Sequence, residues 1–377
     1  MSLKIAVLKE VGSNERRVAM VPVLVKRLTK LGASLALQTG AGVAAGFADA
    51  DYVGATTVDD PLRVVADADI VLAVQAPSAA VIAAMKPGAV LASFVYPQKH
   101  ADLLEPLCER HISAFALETV PRISRAQALD ALSSQATLAG YYAPLLGAVH
   151  LPRILPMMTT AVGSLRAARV LVMGLGVAGL QALATAHRLG AITEGYDVRP
   201  ETKEQAQSVG AKFVDTGVDG RGEGGYAREL TAEEQARTQD ALTLHIQQAD
   251  LVITTANVPG RTAPRLISRV QIEGMKPGSV IVDLAAESGG NCEGTVPGET
   301  TTVGRATILA PLNVPSLLAQ HASELYAKNL LSLLDLIVKD GALSLDLGDE
   351  VVAGTLLTHA GEIRQPAARR LVENVTP

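Results

Sequence analysis

The stretch "LKIAVLKE" (3–10) is a short, nearly unbroken apolar run of the kind that forms a buried strand. "VPVLVKRLTKLGASLAL" then changes to helical spacing, stops at Gly32 and returns to a strand. "DADIVLAVQAPS", "AAVIAAMKPG" and "AVLASFVY" repeat the alternation of strand, helix and strand. Beyond about residue 140 the pattern begins afresh with "ARVLVMGLGVAGLQALATAHRLGAITEGYDVRP", followed by "ADLVITTANVPG", "GSVIVDLAAESGG" and "ATILAPLNVPS". From Ser323, "SELYAKNLLSLLDLIVKDGAL" has helical spacing again and is expected to pack back on the first domain. Alternation of this length predicts an α/β fold: two doubly wound, parallel-sheet (Rossmann-like) domains flanking a cofactor cleft. The expected boundaries are 1–140 plus 319–377 for a discontinuous first domain, and 141–318 for the second.

Composition narrows the function classes. With 48% hydrophobic and 19% charged residues, the chain of 377 residues is globular and long enough for two cores. A net charge of -5 and the lack of a dense Lys/Arg block give no electrostatic footprint for nucleic acid. Cys108 and Cys292 are the only cysteines, too few for a disulfide framework, so a reducing, cytoplasmic setting is expected. "MSLKIAVLKE" has no apolar signal core, and no run of about 18 apolar residues occurs, so no direct membrane insertion is expected. The seven histidines show no H-E-x-x-H and "CERH" (108–111) is an isolated C-x-x-H, so no metal site is expected. A G-x-S-x-G nucleophile elbow is also missing.

Gly174, Gly176 and Gly179 form G-x-G-x-x-G between the strand "ARVLVM" and the helix "LQALATAHRLG". The first glycine permits a tight turn, the second lets backbone approach a pyrophosphate, and the third lets helix and strand pack closely. Unpaired N–H groups and the positive dipole end of the helix then face the phosphates. Asp197 follows at the end of the next strand, about 20 residues on, where a carboxylate accepts ribose hydroxyls and repels a 2′-phosphate. That favours NAD(H); Arg199, two residues later, can soften the preference.

"PRISRAQALDALSSQATLAG" (121–140) is polar for a buried segment. On a helical wheel Gln127, Asp130, Ser133 and Ser134 share one side, and Leu129, Leu132 and Ala136 lie opposite. An ordinary solvated helix face would look like this. So would a surface of short neutral donors and acceptors beside Arg122, suited to a carboxamide. Two other segments, "LAAESGGN" (284–291) and "LNVPS" (312–316), follow strands and could line a cleft or simply turn the chain. "DTGVDGRGEGGYAREL" (215–230) places five glycines between 217 and 225 and is expected to move, as a lid or as a plain surface loop.

Taken together, "PRISRAQALDALSSQATLAGY", "PMMTT", "GLGVAGLQALATAHRLGA", "YDVRPETKEQ", "GGYARE" and "MKPGSVIVDLAAESGGNC" resemble the NAD(H)-binding component of the proton-translocating NAD(P) transhydrogenase family, from about residue 3 to 360. The resemblance implies that Arg122, Gln127, Asp130 and Ser133 hold the nicotinamide and its ribose, the first three at the reacting ring. It assigns Val177, Asp197, Val198 and Arg199 to NAD contacts, alongside the turn glycines, and Gly225 with Tyr226 to a mobile loop. Asn257 stands at a contact position where the family usually has Leu. It further implies a homodimer that docks with an NADP(H)-binding subunit and a membrane-domain subunit, peripheral to the inner membrane, with direct hydride transfer from NADH to NADP⁺.

Alanine dehydrogenase is the alternative with the same fold. Arg17 matches its substrate arginine but occurs in both groups. Gln75, Tyr96 and Glu287 stand where alanine dehydrogenases have a lysine, a histidine and an aspartate. Without the lysine and the histidine, amine oxidation has no obvious proton acceptor. A regulatory NAD-binding module without chemistry would show the same residues.

Overall fold

A computed structural model describes residues 3–222, 228–257 and 262–373, which fall into two compact α/β units: residues 1–135 with 315–377, and residues 136–314. The first unit contains an eight-stranded sheet. From edge to edge its strands are Glu362–Ile363, Leu356–His359, Ser113–Ala116, Val90–Phe94, Ile70–Gln75, Leu3–Val7, Ala33–Gln38 and Ala55–Val58. The last six are parallel; Leu356–His359 pairs antiparallel with Ser113–Ala116. The continuous apolar runs follow from burial on both faces. Ile5, Val7, Ile70, Leu72 and Val74 join one core, whereas Ala6, Leu8, Val71 and Ala73 join the other, as the period of two along a strand requires. Helix Ala319–Ile337 covers the first of these faces through Tyr326, Leu330, Leu333 and Leu334, and the Tyr326 hydroxyl donates to the Ala73 carbonyl (2.9 Å).

The second unit has its own seven-stranded sheet. Its order is Lys212–Phe213, Ile192–Tyr196, Arg169–Met173, Leu251–Thr254, Val280–Asp283, Ala306–Leu309 and Thr300–Val303. All neighbours are parallel except the final pair. Strand order reverses between Leu3–Val7 and Ile70–Gln75 in the first unit, and between Arg169–Met173 and Leu251–Thr254 in the second. Ligands of open α/β sheets bind outside the carboxyl ends of strands at such reversals. The Gly174–Gly179 turn leaves one of these strand ends, and Gln75 closes another.

Two elements escape the sequence pattern. Helix Ala131–His150 is twenty residues long with Pro144 inside it. A separate antiparallel hairpin, Met158–Thr160 with Gly163–Leu165, belongs to neither large sheet and exposes Met158, Val162 and Leu165, with Val162 99% exposed. Among the described residues no helix is long and apolar enough to cross a membrane.

Candidate functional site

Strand Arg169–Met173 runs into the glycine turn and helix Val177–Arg188 leaves it, the arrangement that presents free N–H groups at a helix start. Gly174 has φ +94°, which a side chain would strain. A Cβ on Gly179 would lie 1.8 Å from the Gly174 carbonyl oxygen, so helix and turn can pack only around a glycine. Gly176 differs: its φ is -77° and a Cβ there would meet nothing within 4 Å. Among the described residues, no contact requires glycine at 176. Val177 beside it is exposed.

Asp197 follows strand Ile192–Tyr196 and is 8% exposed. Its Oδ2 accepts from the Leu175 backbone N–H (2.7 Å) and Arg199 Nη2 (2.8 Å), and its Oδ1 accepts from the Arg199 backbone N–H and Nε (both 2.9 Å). The carboxylate therefore ties the glycine turn to Arg199, and all four of its acceptor positions are engaged. Val198 packs against the neighbouring core, and its carbonyl accepts from the Gly220 N–H (2.7 Å). Asn257 is exposed. Gly225 and Tyr226 lie outside the described residues.

The polar stripe of the first unit is built differently from the single helix its periodicity predicts. Residues Ser124–Leu129 form a 3-10 helix that ends at Asp130, and a new α-helix starts at Ala131. Asp130 caps it: Oδ1 accepts from the Ser133 N–H (2.8 Å) and Oδ2 from the Ser133 hydroxyl (2.6 Å). The break places Arg122, Gln127, Asp130 and Ser133 around one pocket of ≈ 240 Å³, with Ile123 and Ser124. Ser134, expected on the same face, instead donates to Asn329 Oδ1 (2.8 Å) in helix Ala319–Ile337. A wheel drawn through one uniform helix cannot register the change of pitch at Asp130.

The carboxyl ends of the strands in this unit also hold a buried charge cluster whose carboxylates Glu10, Glu15 and Glu118 the sequence did not point to, although Arg17, Gln75 and Tyr96 beside them were singled out. Arg17 is 4% exposed; its Nε and Nη2 donate to Glu15 (2.7 and 2.6 Å) and its Nη1 donates to Gln135 Oε1 (2.9 Å). Gln75 Nε2 donates to the same Glu15 (2.9 Å). Burial pushes the Glu15 carboxyl up, but the Arg17 hydrogen bonds and charge bring it down to about 2. Glu10 accepts from the Val74 and Gln75 N–H groups at the end of their strand (2.6 and 3.2 Å). Burial raises its pKa to about 7 against the bond from Val74, and the Glu15 charge adds to the rise. Glu118 serves Val95 and Tyr96 in the same way and is raised by burial. Polar residues directly after apolar strands were the available signal. Glu287 of "LAAES" accepts from the Asn313 N–H, joining the two loops 284–291 and 312–316.

Two family models cover nearly the whole chain: "Alanine dehydrogenase/PNT, N-terminal domain" over residues 6–139 and "Alanine dehydrogenase/PNT, C-terminal domain" over 143–366. The chain belongs to the alanine dehydrogenase/PNT family. Within that family it is 44% identical to the first part of NAD(P) transhydrogenase subunit alpha from Rhodospirillum rubrum, over 97% of this chain and 98% of the relative. Alanine dehydrogenase of Mycobacterium tuberculosis is more distant, at 31% identity over 78% of this chain and 76% of the relative. The solved transhydrogenase structure from Sinorhizobium meliloti superposes with a TM-score of 0.85 at 41% identity, covering 97% of this chain and 99% of that one. The family thus contains both chemistries weighed from the sequence, and this member stands with the transhydrogenase subunits.

Proposed function

We propose that this chain is the NAD(H)-binding component of a proton-translocating transhydrogenase. The observation that carries the reading is Gly176, a glycine at a helix start that no protein contact demands and that a pyrophosphate does. The glycine turn with Val177 receives the pyrophosphate, while Asp197, Val198 and Arg199 receive the adenosine ribose, with Gly225, Tyr226 and Asn257 as further contacts. Arg122, Gln127, Asp130 and Ser133 offer charge, amide, carboxylate and hydroxyl to a nicotinamide carboxamide and its ribose. The dinucleotide supplies hydride chemistry; the chain's task is to fix the ring and exclude water.

Gln75 and Tyr96 offer no proton acceptor suited to amine oxidation, and Arg17 is already engaged by Glu15 and Gln135. Direct transfer between two nicotinamides releases no amine proton and needs no such acceptor. The acceptor NADP⁺ would be carried by a separate subunit, and a membrane-domain subunit would hold this chain, as a homodimer, at the inner membrane surface. The test mixes the purified chain with an NADP(H)-binding domain and follows reduction of a nicotinamide analogue. Turnover only with the partner present is expected; NAD-dependent alanine oxidation by the chain alone would overturn the reading.

A further inference from the structure

In the second unit, the peptide linking Gly174 to Leu175 is held from both ends by side chains. Its N–H, on Leu175, donates to Asp197 Oδ2 (2.7 Å). Its carbonyl, on Gly174, accepts from the hydroxyl of Thr255 (2.8 Å), a residue beyond the end of strand Leu251–Thr254. That carbonyl is the same oxygen that forbids a side chain at Gly179, so its direction sets how the helix meets the turn. Gly176 and Val177, which in the proposed function receive the pyrophosphate, follow directly along the chain.

Thr255 is itself anchored. Its N–H donates to the Met173 carbonyl (2.9 Å), and the next residue, Ala256, pairs at two points with the side chain of Asn291. The Ala256 N–H donates to Asn291 Oδ1 (3.1 Å), and Asn291 Nδ2 donates to the Ala256 carbonyl (2.8 Å) and to the Pro264 carbonyl (2.8 Å). Asn291 thus imitates a neighbouring strand where the sheet has ended. It is fully buried, and its own N–H donates to Asp283 Oδ2 (2.7 Å). Asp283, also fully buried, further accepts from the Thr254 and Thr295 hydroxyls and from the Ala285 and Cys292 N–H groups. A buried carboxylate with five donors is a rigid anchor point.

We propose that Thr255 is a positioning residue for nucleotide binding: it fixes the Gly174–Leu175 peptide, and Asn291 on Asp283 fixes Thr255. This rests on the reading that the turn receives a dinucleotide pyrophosphate. With the hydroxyl removed, the peptide is held only through Asp197 and can rotate. Both the phosphate-facing N–H groups and the Asp197 carboxylate then lose their set directions.

The test compares NADH affinity, by isothermal titration, for the full-length wild-type chain, Thr255→Val and Thr255→Ser. Valine keeps the volume and loses the donor; serine restores the donor. Thr255→Val should weaken NADH about tenfold, the effect of one lost hydrogen bond, and Thr255→Ser should stay within roughly twofold of wild type. Equal binding by the valine variant, or serine as weak as valine, would overturn the proposal. No NADH binding by the wild type would instead overturn the functional reading beneath it. Should the valine variant not fold, hydrogen exchange in the wild type decides. Added NADH should slow exchange at 255–256 and 285–292 together with 174–179, and protection confined to 174–179 would sink the idea.

Discussion

In the proposed function, Asp197 is the residue on which cofactor choice turns. Its carboxylate is engaged by Leu175 and Arg199, so ribose binding exchanges Arg199 bonds for hydroxyl bonds. Asp197→Ala should weaken NADH by about 1.5–3 kcal/mol, the range for a hydrogen bond to a charged group. The same change leaves Arg199 without its carboxylate, so NADPH should bind better than it does to wild type; titration of both nucleotides checks each half. Glu10 gives a separate, pH-dependent expectation. Its folded pKa of about 7 lies above the ordinary 4.5, so its stability contribution is full below pH 4.5 and is lost as pH rises through 7. At about 1.4 kcal/mol per unit, that loss is about 3 kcal/mol. Urea unfolding from pH 5 to 8 should show wild type losing stability relative to Glu10→Gln by an amount of this order. Parallel pH profiles would refute it. Glu15 is lowered to about 2, so its contribution falls only in acid and leaves this window clear.

The break at Asp130 lets a short 3-10 helix and the start of the long helix after it gather four polar groups where one helix would present a stripe. Gln127 rides on the 3-10 turn and Ser133 on the following helix. Gln127→Ala should therefore lower the transhydrogenation rate with partner more than it lowers NADH affinity, because hydride transfer is sensitive to ring position. Equal losses in both would assign Gln127 to binding alone. The hairpin Met158–Leu165 raises a different question. A lone two-stranded hairpin is marginal in water, and this one carries no charged residue while exposing Met158, Val162 and Leu165. Were this hairpin to form part of the homodimer contact, Val162→Asp would shift the chain to monomer in sedimentation analysis while NADH binding persists. An unchanged dimer would remove the hairpin from that contact.

For the molecule as a whole, the expectation is that the isolated chain binds NADH and oxidises no alanine, and that hydride transfer starts only when an NADP(H)-carrying partner is added. The two-unit α/β organisation was legible in the sequence because alternating apolar runs of strand and helix length leave few other ways to bury them. The glycine turn was legible too, since two of its three glycines answer local demands: the positive φ at Gly174 and, at Gly179, a Gly174 carbonyl that an added Cβ would meet at 1.8 Å. Side-chain partnerships between distant segments were not. Glu15 and Arg17 lie two residues apart, but Gln135, which completes their group, is 118 residues from Arg17. Thr255 meets Gly174 across 81 residues and Asn291 meets Ala256 across 35. The antiparallel strands 356–359 and 362–363 and the pitch change at Asp130 were also missed. Periodicity reports which face of an element is buried, a property of consecutive residues. The sequence by itself therefore determined the main alternation of strands and helices, the fold class and the glycine turn. Which buried polar group answers which was decided by tertiary structure alone, because hydrogen-bond partners are chosen by proximity in space.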